Sequence, residues 1–280
     1  MNAAPDIDRG RGRTLFGVGR AFYDEARPEY PAEVYETLAS RCGLEAGSRV
    51  FEVGAGTGQV TERLAQAGAR VAAIEPDPEL AGLLSEKVEG RFQEVSVDAA
   101  PFEDASLPTA SFDIGVAATS FHWIDPAVGL QKARDLLVPG GWWAMWWNVF
   151  MDSTRPDPFY EATREIMAPL GRSPSAGATG RPPFALDVER RKAELEAAGL
   201  SDTGVETIRW TARLDTARTR ALYATFSPIS QLPADERERV LDAIATVAED
   251  TFEGCVERPF QTVLYTSQRV APNSNQQPAT

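Results

Sequence analysis

A chain of 280 residues, 43% hydrophobic and 25% charged, has ordinary globular composition and room for one large domain or a core domain with a subdomain built in. Its 28 basic and 41 acidic residues leave a net charge of −13, a field that repels phosphate backbones, so nucleic acid is an unfavoured partner and a small molecule a favoured one. No apolar run approaches the roughly 20 residues of a membrane span, and Cys42 and Cys255 form no metal-ligand spacing.

Residues 1–19 are polar and Arg-dotted, without the apolar stretch of an export signal, and read as a disordered leader. With two lone thiols, that points to a reducing, cytoplasmic setting. Residues 20–42 read as helical, with Ala21, Phe22, Leu38 and Ala39 apolar and Pro28 and Pro31 interrupting the early part. A short buried-type strand, Arg49 to Val53, then runs straight into Gly54-Ala55-Gly56-Thr57-Gly58. A helix follows from about Gln59 to Gln66, stopped by Gly68, and a second strand, Arg70 to Ile74, ends at Glu75. Asp77 to Glu89 is a helix, Phe92 to Val97 a third strand and Phe112 to Ala118 a fourth, with Phe121-His122-Trp123 in the turn after it. A helix from Pro126 to Leu137 leads to a sharp stop at Pro139-Gly140-Gly141 and then to the apolar strand Trp142 to Trp147.

Such alternation predicts a mostly parallel, doubly wound α/β sheet with helices on both faces, its strands apolar throughout because both sides are covered. Met151 to Pro183, rich in Pro, Gly and Ser, reads as a loop or lid holding one helix, about Pro158 to Leu170. Beyond it, Asp187 to Ala198 is an amphipathic helix capped by Gly199; Val205 to Trp210 and Phe260 to Arg269 alternate as strands, with helices near Thr216–Thr225 and Ala234–Thr251 between them. The expected division is a cofactor-binding part over 20–150, a lid over 151–200, the rest of the same domain over 201–270, and a disordered tail over 271–280.

The chemistry centres on the glycine turn, which lies at the carboxyl edge of the sheet, where open α/β sheets bind ligands. A dinucleotide fingerprint places its third glycine where this chain has Gln59, which argues against an NAD-type oxidoreductase. Glu52, at the end of the strand, would repel a pyrophosphate and attract a ligand carrying an ammonium and a sulfonium. Glu75 offers an acceptor-only carboxylate for two ribose hydroxyls, a device shared by dinucleotide and adenosyl cofactors. Asp98, after the third strand, is placed to accept from an exocyclic amine.

The run Phe51-Glu52-Val53-Gly54-Ala55-Gly56-Thr57-Gly58, with Glu75, Asp98 and the Leu137-Val138-Pro139-Gly140-Gly141 turn, resembles class I S-adenosylmethionine-dependent methyltransferases. Tyr23, Arg27-Pro28-Glu29-Tyr30-Pro31 and Phe121-His122-Trp123-Ile124-Asp125 are similar to a small-molecule subgroup that includes trans-aconitate-methyltransferase-like proteins. The resemblance implies S-adenosylmethionine as cofactor, S-adenosylhomocysteine as product, no metal, and a seven-stranded sheet in the order 3-2-1-4-5-7-6. It implies that Glu52, Gly54 and Gly56 cradle the methionine part, Glu75 holds the ribose and Asp98 and Ala99 meet the adenine, with Ala55, Thr57, Gln59 and Pro76 also binding the cofactor. It places Thr119 on the path to the sulfonium, with Arg27 and Tyr30 closing over the methionine carboxylate and Tyr23 also binding the cofactor. For Arg27 and Tyr30 a structural clamp on the domain surface stands beside that role. His122, the only histidine, is either a general base or a residue that positions its turn. Tyr160, Arg164, Arg172 and Tyr223 are further candidates for the substrate pocket. Methyl transfer to an O, N or C nucleophile of a small molecule is the expected reaction, in a monomer or homodimer; the alternative is a cofactor-binding member that catalyses a cyclisation or isomerisation.

Overall fold

The computed structural model describes Ile7 and residues 27–150, 152, 154–176 and 180–271. The expected contact at Tyr23, the helical reading of Ala21 and Phe22, and nearly all of the expected leader and tail lie outside the described residues. Ile7 is the exception: it is buried, and its amide donates to the Arg172 carbonyl at 2.9 Å.

Five strands alternate with helices: α1 (Ala32–Ser40), β1 (Arg49–Val53), α2 (Gln59–Gln66), β2 (Arg70–Ile74), α3 (Pro78–Val88), β3 (Val95–Asp98), β4 (Phe112–Ala118), α4 (Pro126–Leu136) and β5 (Leu137–Phe150). Then come α5 (Pro158–Met167), α6 (Val188–Ala197), β6 (Leu200–Asp215), α7 (Thr216–Ala224), α8 (Ser227–Ser230), α9 (Ala234–Phe252) and β7 (Cys255–Arg269). The sheet order is β3-β2-β1-β4-β5-β7-β6, parallel except for β7, which is antiparallel to both β5 and β6. This is the expected Rossmann-like methyltransferase architecture. Among the described residues no helix is long and apolar enough to cross a membrane.

Side chains along each central strand alternate between two cores, as the pleat requires. Phe51, Ala117, Trp143, Met145, Trp147, Val263 and Tyr265 face α4 and α6, while Val50, Val116, Ala144, Trp146 and Leu264 face α1 and α2. Every element tip therefore sits on a floor packed from both sides. A third core joins α5, α7, α8 and α9 to Val256 of β7, where β6 and β7 run on past the rest of the sheet.

Three expectations are corrected. Pro139-Gly140-Gly141 is not a stop. Strand β5 begins directly at Leu137, and the turn is a bulge inside it, where pairing with β4 shifts from Phe112↔Leu137 to Ile114↔Trp142. Gly140 takes φ +82°, and the Gln268 side-chain amide donates to its carbonyl at 2.8 Å, so the chain bends without leaving the sheet. The third strand starts at Val95 rather than Phe92, because the Phe92 amide completes the last turn of α3 by donating to Val88 O. Strands β6 and β7 are much longer than Val205–Trp210 and Phe260–Arg269, since each supplies the other's ladder from Leu200↔Arg269 to Asp215↔Cys255. The short helix α8 had no counterpart in the sequence reading.

Candidate active site

At the carboxyl ends of β1, β2 and β4 lies a cleft with an open mouth. Its floor is the glycine turn. Gly54 takes φ +71°, and a Cβ there would sit 2.5 Å from Ser120 Cβ; Gly58 takes φ +92°, and its Cβ would meet Leu84 Cδ1 at 2.3 Å. Close packing of the turn against β4 and α3 excludes side chains at both positions. Gly56 differs: it takes φ +58° and nothing lies within 4 Å of where its Cβ would be, so its bare backbone faces the open cleft.

Glu52 and Glu75 flank this turn and are both buried. Burial pushes the Glu52 carboxyl up to about 8; a 2.6 Å bond from Thr61 Oγ1 opposes the shift and the charge of Glu75 adds to it. Glu75, also raised by burial, to about 7, accepts from the Asp77 amide at 2.9 Å and the Gly56 amide at 2.7 Å. Each Glu75 oxygen thus has one backbone donor and keeps lone-pair capacity for a ligand hydroxyl. Two buried carboxyls that cannot easily hold charge gain most from a cationic guest.

Ala55, Thr57, Gln59 and Pro76 also line the cleft, as do Arg27, Tyr30 and Thr119. Thr119, after β4, holds φ +52°, a strained conformation for a β-branched residue. It is fixed there by its amide, which donates to Trp146 O at 2.7 Å, and by its hydroxyl, 2.9 Å from the Tyr30 hydroxyl. Tyr30 meets the Trp146 ring edge-on at 5.8 Å. The Arg27 guanidinium donates to Thr225 Oγ1 at 3.2 Å and to the Thr225 carbonyl at 3.3 Å, so it bridges the cleft to the end of α7.

Asp98 and Ala99 do not line the cleft. The Asp98 carbonyl instead accepts from the Glu75 amide at 3.0 Å and so holds the second carboxyl in place. His122 is buried outside the lining, in the 3-10 turn Phe121–Trp123. Its Nδ1 accepts from Trp147 Nε1 at 3.1 Å, and its ring lies 5.0 Å from Trp123 and 6.3 Å from Phe184. Among the substrate candidates, Tyr223 is buried and accepts from Arg258 at 2.7 Å, while Arg164 is exposed beside Glu161. Lining residues not anticipated as site residues include Leu80, Phe102, Glu103, Ser120, Trp123 and Ile124. Phe102 stacks on Phe51 at 6.0 Å; the only sequence signal was a lone aromatic in the polar loop after β3. Among the described residues no group of three His, Cys, Asp or Glu side chains is placed to hold a metal.

Residues 51–145 match the methyltransferase domain family, a span that contains the glycine turn, both carboxyls and the strained Thr119. Over this span the chain is similar to methyltransferase domains, and the relatives it matches are named as methyltransferases. An uncharacterized methyltransferase of Mycobacterium tuberculosis is 34% identical over 133 residues, 48% of this chain and 51% of the relative, so the match spans about half that relative's length. An uncharacterized methyltransferase of Schizosaccharomyces pombe is 27% identical over 269 residues, 94% of this chain and 99% of the relative. Among solved structures, a phosphoethanolamine N-methyltransferase 2 of Haemonchus contortus in complex with S-adenosyl-L-methionine is similar in fold, with TM-score 0.56 and 12% identity, over 92% of this chain and 60% of that one. The [4+2]-cyclase SpnF is similar too, with TM-score 0.58 and 16% identity, over 97% of this chain and the whole of that one.

Proposed function

We propose that this protein binds S-adenosylmethionine in the cleft above Gly56 and transfers its methyl group to an O, N or C nucleophile of a small molecule. The observation that carries the reading is the pair of buried carboxyls, Glu52 and Glu75, on either side of a turn whose central backbone is open to the cleft. The cofactor supplies an activated methyl on a sulfonium. Glu52 complements its positive charge at the methionine end, and Glu75 accepts from the ribose hydroxyls with the lone pairs its two backbone donors leave over. Leu80, Phe102 and Ile124 offer apolar walls for the adenine, in place of a side-chain contact from Asp98. Arg27 presents its guanidinium toward the methionine carboxylate.

The residues of this chain contribute mainly alignment. Thr119 and Tyr30, locked to each other, border the route by which a nucleophile reaches the methyl, and in-line positioning of this kind supplies roughly 7–11 kcal/mol of barrier reduction. His122 is read as a positioning residue: with Nδ1 accepting from Trp147, the imidazole anchors the Phe121–Trp123 turn that presents Trp123 to the cleft. The resemblance to trans-aconitate-methyltransferase-like proteins favours a carboxylate among the possible acceptors.

Native mass spectrometry with S-adenosylmethionine and S-adenosylhomocysteine, followed by a metabolite screen for a gain of one methylene mass, tests the proposal. One cofactor bound per chain and a methylated product are expected. Failure to bind either compound would overturn it. A substrate changed at constant mass with the cofactor intact would instead support the cyclisation or isomerisation reading, the first of which is the reaction of the similarly folded [4+2]-cyclase SpnF.

A further inference from the structure

Among the polar contacts of the described residues, three tie the strap formed by residues 27–31 over the cleft. Two are on the cleft itself: Arg27 to Thr225, and Tyr30 to Thr119. The third lies outside the lining and comes from the sheet. Asn148, near the carboxyl end of β5, donates its side-chain amide to the Pro28 carbonyl at 3.4 Å.

Asn148 does not stand alone. Thr262, directly opposite on β7, donates its hydroxyl to Asn148 Oδ1 at 2.6 Å. The same hydroxyl oxygen accepts from Trp210 Nε1 of β6 at 2.9 Å. An indole N–H can only donate, so it commits the Thr262 oxygen as acceptor there and leaves the hydroxyl proton for Asn148. That proton selects the Asn148 amide orientation: Oδ1 faces Thr262, and Nδ2 must face Pro28. Thr262 is fully buried, and the Trp210 ring lies flat on Phe260 at 4.6 Å, so the origin of the relay is rigid. The slack is at its end. The 3.4 Å contact is roughly half an ångström longer than a full N–H···O bond, so a small inward movement of the strap completes it.

We propose that Asn148 is a positioning residue: the directed relay Trp210–Thr262–Asn148 sets where Pro28 sits and so where Arg27 and Tyr30 meet the cofactor. The position demands an acceptor toward Thr262 and a donor toward Pro28, which an amide supplies and a carboxylate does not. This inference rests on the reading of the cleft as a cofactor site, and its test has one arm that does not.

The full-length protein is compared with Asn148→Asp, Thr262→Val and Thr262→Ser. In the ligand-free arm, hydrogen exchange of the segment containing Glu29 and Tyr30 is expected to speed up in Asn148→Asp and Thr262→Val and to stay at the wild-type rate in Thr262→Ser, with the central strands unchanged in all three. In the binding arm, calorimetry with S-adenosylhomocysteine is expected to show affinity falling about tenfold in Asn148→Asp and severalfold in Thr262→Val, with Thr262→Ser near wild type. Thr262→Val breaks the relay without adding a charge, so it decides the matter if Asn148→Asp folds poorly. Strap exchange and affinity both unchanged in Thr262→Val would overturn the inference, as would an equal loss in Thr262→Ser. A wild-type protein that ignores S-adenosylhomocysteine while the exchange pattern holds would overturn the cofactor reading and leave the relay standing.

Discussion

Glu52 and Glu75 reach the cleft as carboxyls that burial keeps protonated well above the ordinary value of 4.5. In the free protein each binds a proton that the unfolded chain would release, so stability is greatest below 4.5 and declines as pH rises through about 7 and about 8. A cationic guest needs the opposite state. Its affinity should rise across the same interval, by up to about tenfold per pH unit for each carboxyl that must ionise. Calorimetry of S-adenosylmethionine binding at neutral pH in buffers of different ionisation enthalpy should register proton release, and Glu52→Gln should lose part of it. The glycines make a second contrast. Gly54→Ala drives a Cβ into Ser120 and should cost about 2–5 kcal/mol in denaturant unfolding. Gly56→Ala meets no protein atom within 4 Å and should cost only about 1 kcal/mol while weakening S-adenosylhomocysteine binding at least tenfold. Equal instability in the two variants would contradict the assignment of Gly56 to the ligand.

Asp-Pro opens three helices. Asp77, Asp125 and Asp157 each accept backbone amides of the first turn of α3, α4 and α5, and the proline that follows occupies the position whose N–H would have no partner. Asp157 carries a second duty. Its other oxygen accepts from Arg258 at 3.1 Å, and that guanidinium, buried and bonded to the Tyr223 hydroxyl, lies 4.8 Å from the Phe150 ring and 5.4 Å from the Phe159 ring. A cation enclosed by rings and one carboxylate has nowhere to go when the carboxylate is removed. Asp157→Ala should therefore cost about 3–5 kcal/mol, and pairing it with Arg258→Met should recover most of the loss, as read by chemical denaturation. At this scale the sequence was most legible where the signal is local. Strands β1, β2 and β4 and helix α2 match their readings end for end, because an apolar run broken by glycine needs no distant partner to define it. Strand β6 was mostly missed: its 16 residues extend well beyond both ends of Val205–Trp210. It is an edge strand with one exposed face, and its outer residues are strand only because β7 supplies their ladder. Pro259 hid the start of β7 for a similar reason, since proline argues against a strand until an antiparallel partner is seen beside it.

Across the whole molecule, the cleft was legible where one segment builds it and illegible where distant segments meet. The glycine turn, Glu52, Glu75 and Thr119 sit in strand-end turns readable from the sequence, and all line the cleft. Thr225 and Asn148 reach the strap over it only through contacts spanning 198 and 120 residues, which no spacing rule anticipates. His122 shows the converse: its place at a strand tip was evident, but its partner, Trp147, comes from the neighbouring strand and turns the imidazole toward the core. The order β3-β2-β1-β4-β5-β7-β6 bears on synthesis as well as on the finished protein. A ribosome releases the 16 residues of β6 before any of β7 exists, and β7 is the only strand beside it. Until the last 15-residue strand emerges, the nascent chain carries an orphan ribbon and a bare edge on β5, two surfaces inviting wrong partners. Insertion of β7 closes both at once, so chains halted before Cys255 should be chaperone clients while chains released past Arg269 are not.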